Sequence, residues 1–129
     1  MVPDAGGFFL LPRIVGLQKA KELIFTARSI DAKEAQEIGL VYQIHEPDAL
    51  MGSAIEFAGR FRHASRDAIG ISKNILNQSF NLDLRALGEL EAFGQAVAHG
   101  SDYHSNAVNR FLNKKPLEFD WDKAAAGDD

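Results

Sequence analysis

The apolar residues of this chain recur at helical spacing along most of its length. Leu17, Ala20, Ile24 and Ala27 lie three or four residues apart, which predicts an amphipathic helix directly after Gly16. Similar stripes predict a helix that Phe8 begins, and further helices over residues 47–61, 65–80, 83–100 and 101–115. The pattern therefore favours a mostly α-helical protein.

A short β-rich segment interrupts this helical pattern. Asp31 and Glu34 have the spacing of a capping box, and Gly39 supplies a left-handed stop for the helix that Asp31 begins. The following segment, residues 40–45, is predicted to be a strand, with residues 28–30 as a possible second one. One or two strands do not form a stable sheet alone, so polypeptide outside this chain is expected to complete it.

Changes in the pattern divide the chain into three parts. Residues 1–46 contain the glycine-rich opening, helices and the short strand, and residues 47–116 are a helical region that ends at a proline. Residues 117–129 have the charge and turn character of a tail, which we expect to be partly mobile beyond Trp121.

Composition and charge exclude several classes of protein. The chain has no cysteine, which excludes disulfides and thiolate metal sites, and its net charge of −4 argues against a nucleic-acid partner. No apolar run approaches the ~20 residues that span a bilayer, and no secretion signal is recognisable. The four histidines are far apart without ligand spacing, so no metal site is expected. We expect a soluble, cytoplasmic protein.

The opening stretch, MVPDAGGFFLLPRIVG, contains the first candidate for chemistry. Asp4 precedes two glycines and two phenylalanines, and two interpretations of its carboxylate are open. It could cap the helix that follows by accepting backbone N–H groups, which its position alone favours. It could instead be a catalytic acid or base beside a pocket that Phe8 and Phe9 keep dry, although either ring could simply pack in a core.

Several short motifs together carry a resemblance that covers nearly the whole chain. They are Pro3-Asp4-Ala5-Gly6-Gly7, Leu11-Pro12-Arg13-Ile14-Val15-Gly16, Ile30-Asp31-Ala32 with Ala35 and Gly39-Leu40-Val41, Ile71-Ser72-Lys73 with Asn77, and the spacing of Leu90-Glu91, Ser101-Asp102 and Phe111. In combination they resemble the crotonase superfamily, the enoyl-CoA hydratases and isomerases. A departure is Asn106-Ala107, where the family often has Glu-Gly.

The resemblance implies a fold and an assembly. It implies the C-terminal half of a crotonase α/β subunit, here mostly helical with one or two short strands and ending in a helical oligomerisation region. The missing N-terminal half would carry the repeated ββα core, both backbone donors of the oxyanion hole and the two glutamates that hydratases use. The chain alone would then be inactive, and the complete protein a homotrimer or hexamer.

The resemblance also implies roles for particular residues. It favours Asp4 as the catalytic acid or base, as in isomerase-like branches of the family, with Phe8 and Phe9 in the acyl pocket. Phe111 and Lys114 match positions that contact coenzyme A, and their spacing of three would place them on one helix face. The alternatives are that Phe111 belongs to the core stripe and that Lys114 complements the helix C-terminus.

The expected activity is the shift or hydration of a double bond in an acyl-CoA thioester, an isomerase or lyase reaction of fatty acid metabolism. Coenzyme A would be part of the substrate, and no separate cofactor, metal, membrane or nucleic acid is expected. Two other classes stay open. The chain could be a non-catalytic oligomerisation module or a free-standing acyl-CoA binding module that uses Phe111 and Lys114.

Overall fold

The computed structural model describes the backbone of residues 2–124 and the side chains of residues 2–122, and within these limits the chain is helical. The helices are α1 (Gly7–Val15), α2 (Leu17–Thr26), α3 (Ala32–Glu37), α4 (Leu50–Gly59), α5 (Arg66–Leu76), α6 (Leu84–His99), α7 (Asp102–Leu112) and α8 (Trp121–Ala124). The prediction of a mostly α-helical chain is confirmed.

The strand predicted over residues 40–45 does not form, and the described residues contain no strand. The segment instead folds back on α3, because the N–H groups of Leu40 and Val41 both donate to the carbonyl oxygen of Ala35, at 2.8 and 3.1 Å. A strand needs a neighbour for its backbone groups, and no extended partner lies within residues 2–124. Residues 28–30 are irregular as well.

Polar side chains begin four of the helices. The side chains of Asp31, Ser65, Asp83 and Ser101 each accept a hydrogen bond from the backbone N–H three residues further along, which caps α3, α5, α6 and α7. The capping residues predicted for α3 and α6 are confirmed. The helix predicted to reach residue 80 ends at Leu76, where hydrogen bonds of the i to i+3 type replace the helical ladder.

The chain forms two compact units, Met1–Ala54 and Ile55–Asp129. The division predicted from the sequence, with a boundary after residue 46, stays a prediction. So does the mobility of the tail, which was expected mainly for residues that lie outside those described.

In the first unit, α1 packs on α2 across Gly16, whose φ of 80° favours glycine.

An ion-pair cluster connects α2 to α3 in the same unit. The Arg28 guanidinium donates hydrogen bonds to the carboxylates of Glu22 and Glu34. Its Nη2 lies 3.1 Å from Glu22 Oε2, and its Nη1 lies 2.8 Å from Glu34 Oε2. The hydrogen bonds from Arg28, with a further one from Lys19, lower the pKa of the Glu22 carboxyl to about 2.

In the second unit, an aromatic cluster holds the chain after α7 against the end of α4. The ring of Trp121 lies 5.7 Å from that of Phe57 and 5.2 Å from that of Phe61. The Arg60 guanidinium stacks 3.6 Å above the Trp121 ring and donates to the Trp121 carbonyl oxygen at 2.7 Å. The segment up to Trp121 is therefore anchored in this unit.

The two units bury very little apolar surface. Among the described residues, the buried apolar side chains are Ala20, Ala35 and Ala64. Large side chains such as Phe25, Leu84 and Phe93 are at least three-quarters exposed. None of the helices in the described part of the chain combines the length and hydrophobicity that a membrane-crossing helix requires.

The close approach of α5 to α6 gives a direct test of the packing in the second unit. A Cβ atom at Gly94 would lie 2.8 Å from Ile71 Cγ2, whereas a Cβ atom at Gly88, on the same helix, would meet nothing within 4 Å. We expect Gly94→Ala to lower the free energy of unfolding by about 1–3 kcal/mol through overpacking. The matched control Gly88→Ala should raise it by about 0.5–1 kcal/mol, because alanine is the better helix former. Chemical denaturation of the chain measures both values, and equal effects of the two substitutions would contradict this packing.

Candidate functional site

The carboxylate of Asp4 does not cap the helix that follows it. Helix α1 begins at Gly7 with Gly6 as its N-cap, and no side chain caps it. Asp4 contributes its backbone instead, since its carbonyl oxygen accepts a 2.9 Å hydrogen bond from the Gly7 N–H. The capping interpretation is therefore not supported, and the exposed carboxylate stays available for another role.

The backbone around Asp4 is held in an uncommon conformation. Ala5 and Gly6 are both left-handed, with φ angles of 50° and 83°, which is unusual for the alanine. A side chain at Gly7 would place its Cβ 3.2 Å from Pro3 Cβ, a tight contact. The glycine pair thus permits a turn that sets Asp4 immediately before the first turn of α1. Strained turns of this kind are frequent at functional sites.

The rings of Phe8 and Phe9 do not enter a core in the described part of the chain. Phe8 is 54% exposed and Phe9 47% exposed. Arg13, one turn further along α1, orients Phe9 with two contacts. Its guanidinium lies 3.5 Å from the ring centroid, and its Nη1 donates to the Phe9 carbonyl oxygen at 2.8 Å. In the sequence Arg13 stands out only as part of a motif, although its i to i+4 spacing from Phe9 permits this contact.

Phe111 and Lys114 are placed differently from the prediction that they share a helix face. Phe111 lies in the last turn of α7 and is 77% exposed, so it is not part of a core here. Lys114 lies beyond the end of α7 in a left-handed conformation, with a φ of 52°. Its N–H donates to the Phe111 carbonyl oxygen at 3.0 Å, and the Lys115 N–H donates to that of Arg110 at 2.9 Å.

These two bonds form a Schellman motif in which Lys114 occupies the position that usually holds glycine. A left-handed lysine is less stable there than glycine would be, because its Cβ crowds the backbone. Lysine at this point therefore costs stability. The Schellman geometry therefore does not favour lysine here, although its charge lies at the end of the helix where a cation is stabilised.

The expectation that the four histidines lie far apart is wrong for one pair. The rings of His99 and His104 are in contact, with their centroids 4.7 Å apart. Their separation of five residues does not match a helical ligand spacing, so only the corner between α6 and α7 brings them together. Within the described residues, no group of three or more histidine, aspartate, glutamate or cysteine side chains could hold a metal ion.

The family of the chain follows from comparison with known proteins. The model of the enoyl-CoA hydratase/isomerase family matches residues 1–123. The chain belongs to this family. It is 38% identical to the short-chain-enoyl-CoA hydratase of Clostridium acetobutylicum over 120 residues, which cover 92% of this chain and 45% of that protein. It is 31% identical to the crotonyl-CoA hydratase of Syntrophomonas wolfei, covering 92% of this chain and 46% of that one.

Solved structures agree with this assignment. The enoyl-CoA hydratase/isomerase of Cupriavidus metallidurans superposes with a TM-score of 0.85 at 42% identity, over 92% of this chain and 45% of that one. The enoyl-CoA hydratase of Bacillus anthracis gives a TM-score of 0.82 at 29% identity, with coverages of 94% and 47%. The fold is that of the crotonase enzymes, and the chain spans less than half the length of these relatives.

Proposed function

We propose that this chain supplies the acid/base part of an active site that shifts or hydrates a double bond in an enoyl-CoA thioester. Membership of the enoyl-CoA hydratase/isomerase family supports the substrate class. One observation supports Asp4 as the catalytic acid or base. Its carboxylate is exposed and does not cap the adjacent helix.

A single carboxylate suits double-bond migration. The base removes a proton from one carbon and returns it two carbons away, while an oxyanion hole stabilises the charge on the thioester oxygen. Hydration needs one group to orient water and another to handle its proton, so Asp4 alone does not complete it. We therefore favour isomerisation for Asp4 and assign hydration to glutamates outside this chain.

The exposed rings of α1 would form one wall of the acyl pocket. Phe8 and Phe9 follow Asp4 by four and five residues, and covering them would exclude water from the carboxylate. Arg13 stacks on one face of the Phe9 ring, so the orientation of this ring would be defined before the substrate binds. Their exposure here is consistent with a surface that substrate and further polypeptide cover.

Phe111 and Lys114 would bind coenzyme A. An exposed aromatic ring can stack on adenine, and an ammonium group can meet a phosphate. The left-handed conformation of Lys114 supports this role, since a residue that costs stability at a helix end needs another reason to be there.

The complete enzyme would be longer than this chain. We propose that the chain corresponds to the later half of a crotonase subunit, that the other half supplies the oxyanion hole, and that the chain alone is inactive. The assembly would be a homotrimer or hexamer in the cytoplasm, acting in fatty acid metabolism. The exposed apolar side chains favour one second candidate, a non-catalytic oligomerisation module.

The role of Asp4 is tested by separating turnover from stability. In the enzyme complete with its oxyanion-hole half, Asp4→Asn should lower kcat for 3-enoyl thioester isomerisation by roughly 10²–10⁴-fold. Asp4→Ala should leave the melting temperature nearly unchanged. The matched control is Asp83→Ala, which removes an observed cap and should cost about 0.5–2 kcal/mol of stability without affecting turnover.

The outcomes separate the candidates. If Asp4→Asn turns over normally, or if Asp4→Ala destabilises as much as Asp83→Ala, the assignment of Asp4 as a base is wrong. If isomerisation is lost while hydration of a 2-enoyl thioester persists, the enzyme is bifunctional and Asp4 serves the isomerase reaction alone. If the complete protein turns over neither thioester, the oligomerisation module is favoured.

The role of Lys114 is tested by an opposed change in stability and affinity. Lys114→Gly relieves a left-handed side chain and should stabilise the chain by about 1 kcal/mol. It should also weaken coenzyme A binding by about 1.5–3 kcal/mol, through the loss of a charge-assisted contact. The control Lys115→Gly removes the same charge at a residue without positive φ, and it should bring neither the gain in stability nor the full loss of affinity. Chemical denaturation measures the stability, and calorimetric titration measures the affinity for coenzyme A. Unchanged affinity in Lys114→Gly would contradict the role of Lys114 in coenzyme A binding.

A further inference from the structure

The corner between α6 and α7 brings two imidazole rings together. His99 is the last residue of α6, and His104 lies in the first turn of α7, with Gly100 and Ser101 between the two helices. The ring centroids are 4.7 Å apart and the ring planes cross at 65°. His99 is exposed and His104 half-buried, so the pair is open to solvent on the His99 side.

Backbone and hydroxyl hydrogen bonds make this corner rigid. Ser101 Oγ accepts from the His104 N–H at 3.2 Å and donates to the Ala98 carbonyl oxygen at 2.6 Å. The Gly100 N–H donates to the carbonyl oxygens of Ala96 and Val97, both at 3.2 Å. The two Cα positions are therefore fixed relative to each other, and bringing the rings together requires no rearrangement of the backbone.

The spacing of the rings matches that of two ligands on one metal ion. An imidazole nitrogen binds Zn²⁺ at about 2.0–2.1 Å, which puts the ring centroid about 3.2 Å from the metal. Two such rings with an N–metal–N angle of about 90–110° have centroids about 4.5–5.2 Å apart. The observed separation of 4.7 Å lies within this interval. Rotation about the Cβ–Cγ bond, which is broad for histidine, can aim both nitrogens at one point.

We propose that His99 and His104 form a binding site for a divalent transition-metal ion that links α6 to α7. Imidazole suits Cu²⁺, Ni²⁺ and Zn²⁺, and the Irving–Williams order places Cu²⁺ first. No third protein ligand is grouped with the pair in the described part of the chain, so water completes the coordination. The site is accordingly exchangeable, and it lies apart in sequence from the residues assigned to catalysis.

Calorimetric titration of the chain with CuCl₂ and NiCl₂ tests the site. We expect one ion per chain, with tighter binding of Cu²⁺ than of Ni²⁺. His99→Ala and His104→Ala should each weaken binding by about tenfold or more, and the double variant should lose little further, because one ion uses both rings. His63→Ala is the control and should bind like the wild type. His104→Gln provides a second variant if His104→Ala does not fold.

A second measurement locates the ion directly. Substoichiometric Cu²⁺ should broaden the imidazole NMR resonances of His99 and His104 before those of His45 and His63. Wild-type affinity in both single variants, or an equal loss in His63→Ala, would show nonspecific binding and overturn the proposal. Broadening of all four histidines together would also overturn it. Neither result depends on the enzymatic role proposed for Asp4.

Discussion

The constraint that governs this structure is the shortage of buried apolar surface. Within the described residues, the buried apolar side chains are three alanines, while phenylalanines or leucines are exposed on six of the eight helices. Burial of one such large side chain stabilises a fold by about 1.5–3 kcal/mol. The exposed phenylalanines and leucines therefore do not contribute most of this hydrophobic free energy. Local interactions, including side-chain caps, the Arg28 ion pairs and the Trp121 cluster, stabilise the helices and connections but are individually too weak to replace this burial. We propose that further polypeptide covers these faces in the complete protein.

Both candidate sites contain a non-glycine residue in a left-handed conformation. Ala5 follows the proposed base and Lys114 is the proposed coenzyme A ligand. Positive φ is not by itself a mark of function, because Ala27 adopts it while closing α2. Ala5 and Lys114 differ from Ala27 in their chemistry, because Ala5 adjoins the Asp4 carboxylate, which does not cap α1, and Lys114 itself carries a charge. The chemistry of these side chains, together with the backbone, supports the assignments.

Local signals in the sequence predicted local structure well. The caps at Asp31 and Asp83 and the left-handed Gly39 follow from short-range hydrogen bonding and sterics, which neighbouring residues determine. The prediction of a strand over residues 40–45 was wrong, because a strand needs a hydrogen-bonding partner and the local sequence pattern does not show whether one is present. Motifs identified the family, whereas the catalytic role that they suggest for Asp4 stays a proposal. The contact of His99 with His104 could not be predicted, since it depends on how the chain turns between α6 and α7. The position of Lys114 beyond α7 depends on where that helix ends.

Sedimentation velocity over a wide range of protein concentration tests the central claim most directly. If the exposed apolar faces require cover, the isolated chain should associate into species larger than a monomer as concentration rises, because extended apolar patches rarely stay in contact with water. The associated species should keep the helical circular dichroism of the dilute chain. A folded chain that sediments as a monomer at every concentration would contradict the claim, since its apolar faces would then be stable in water.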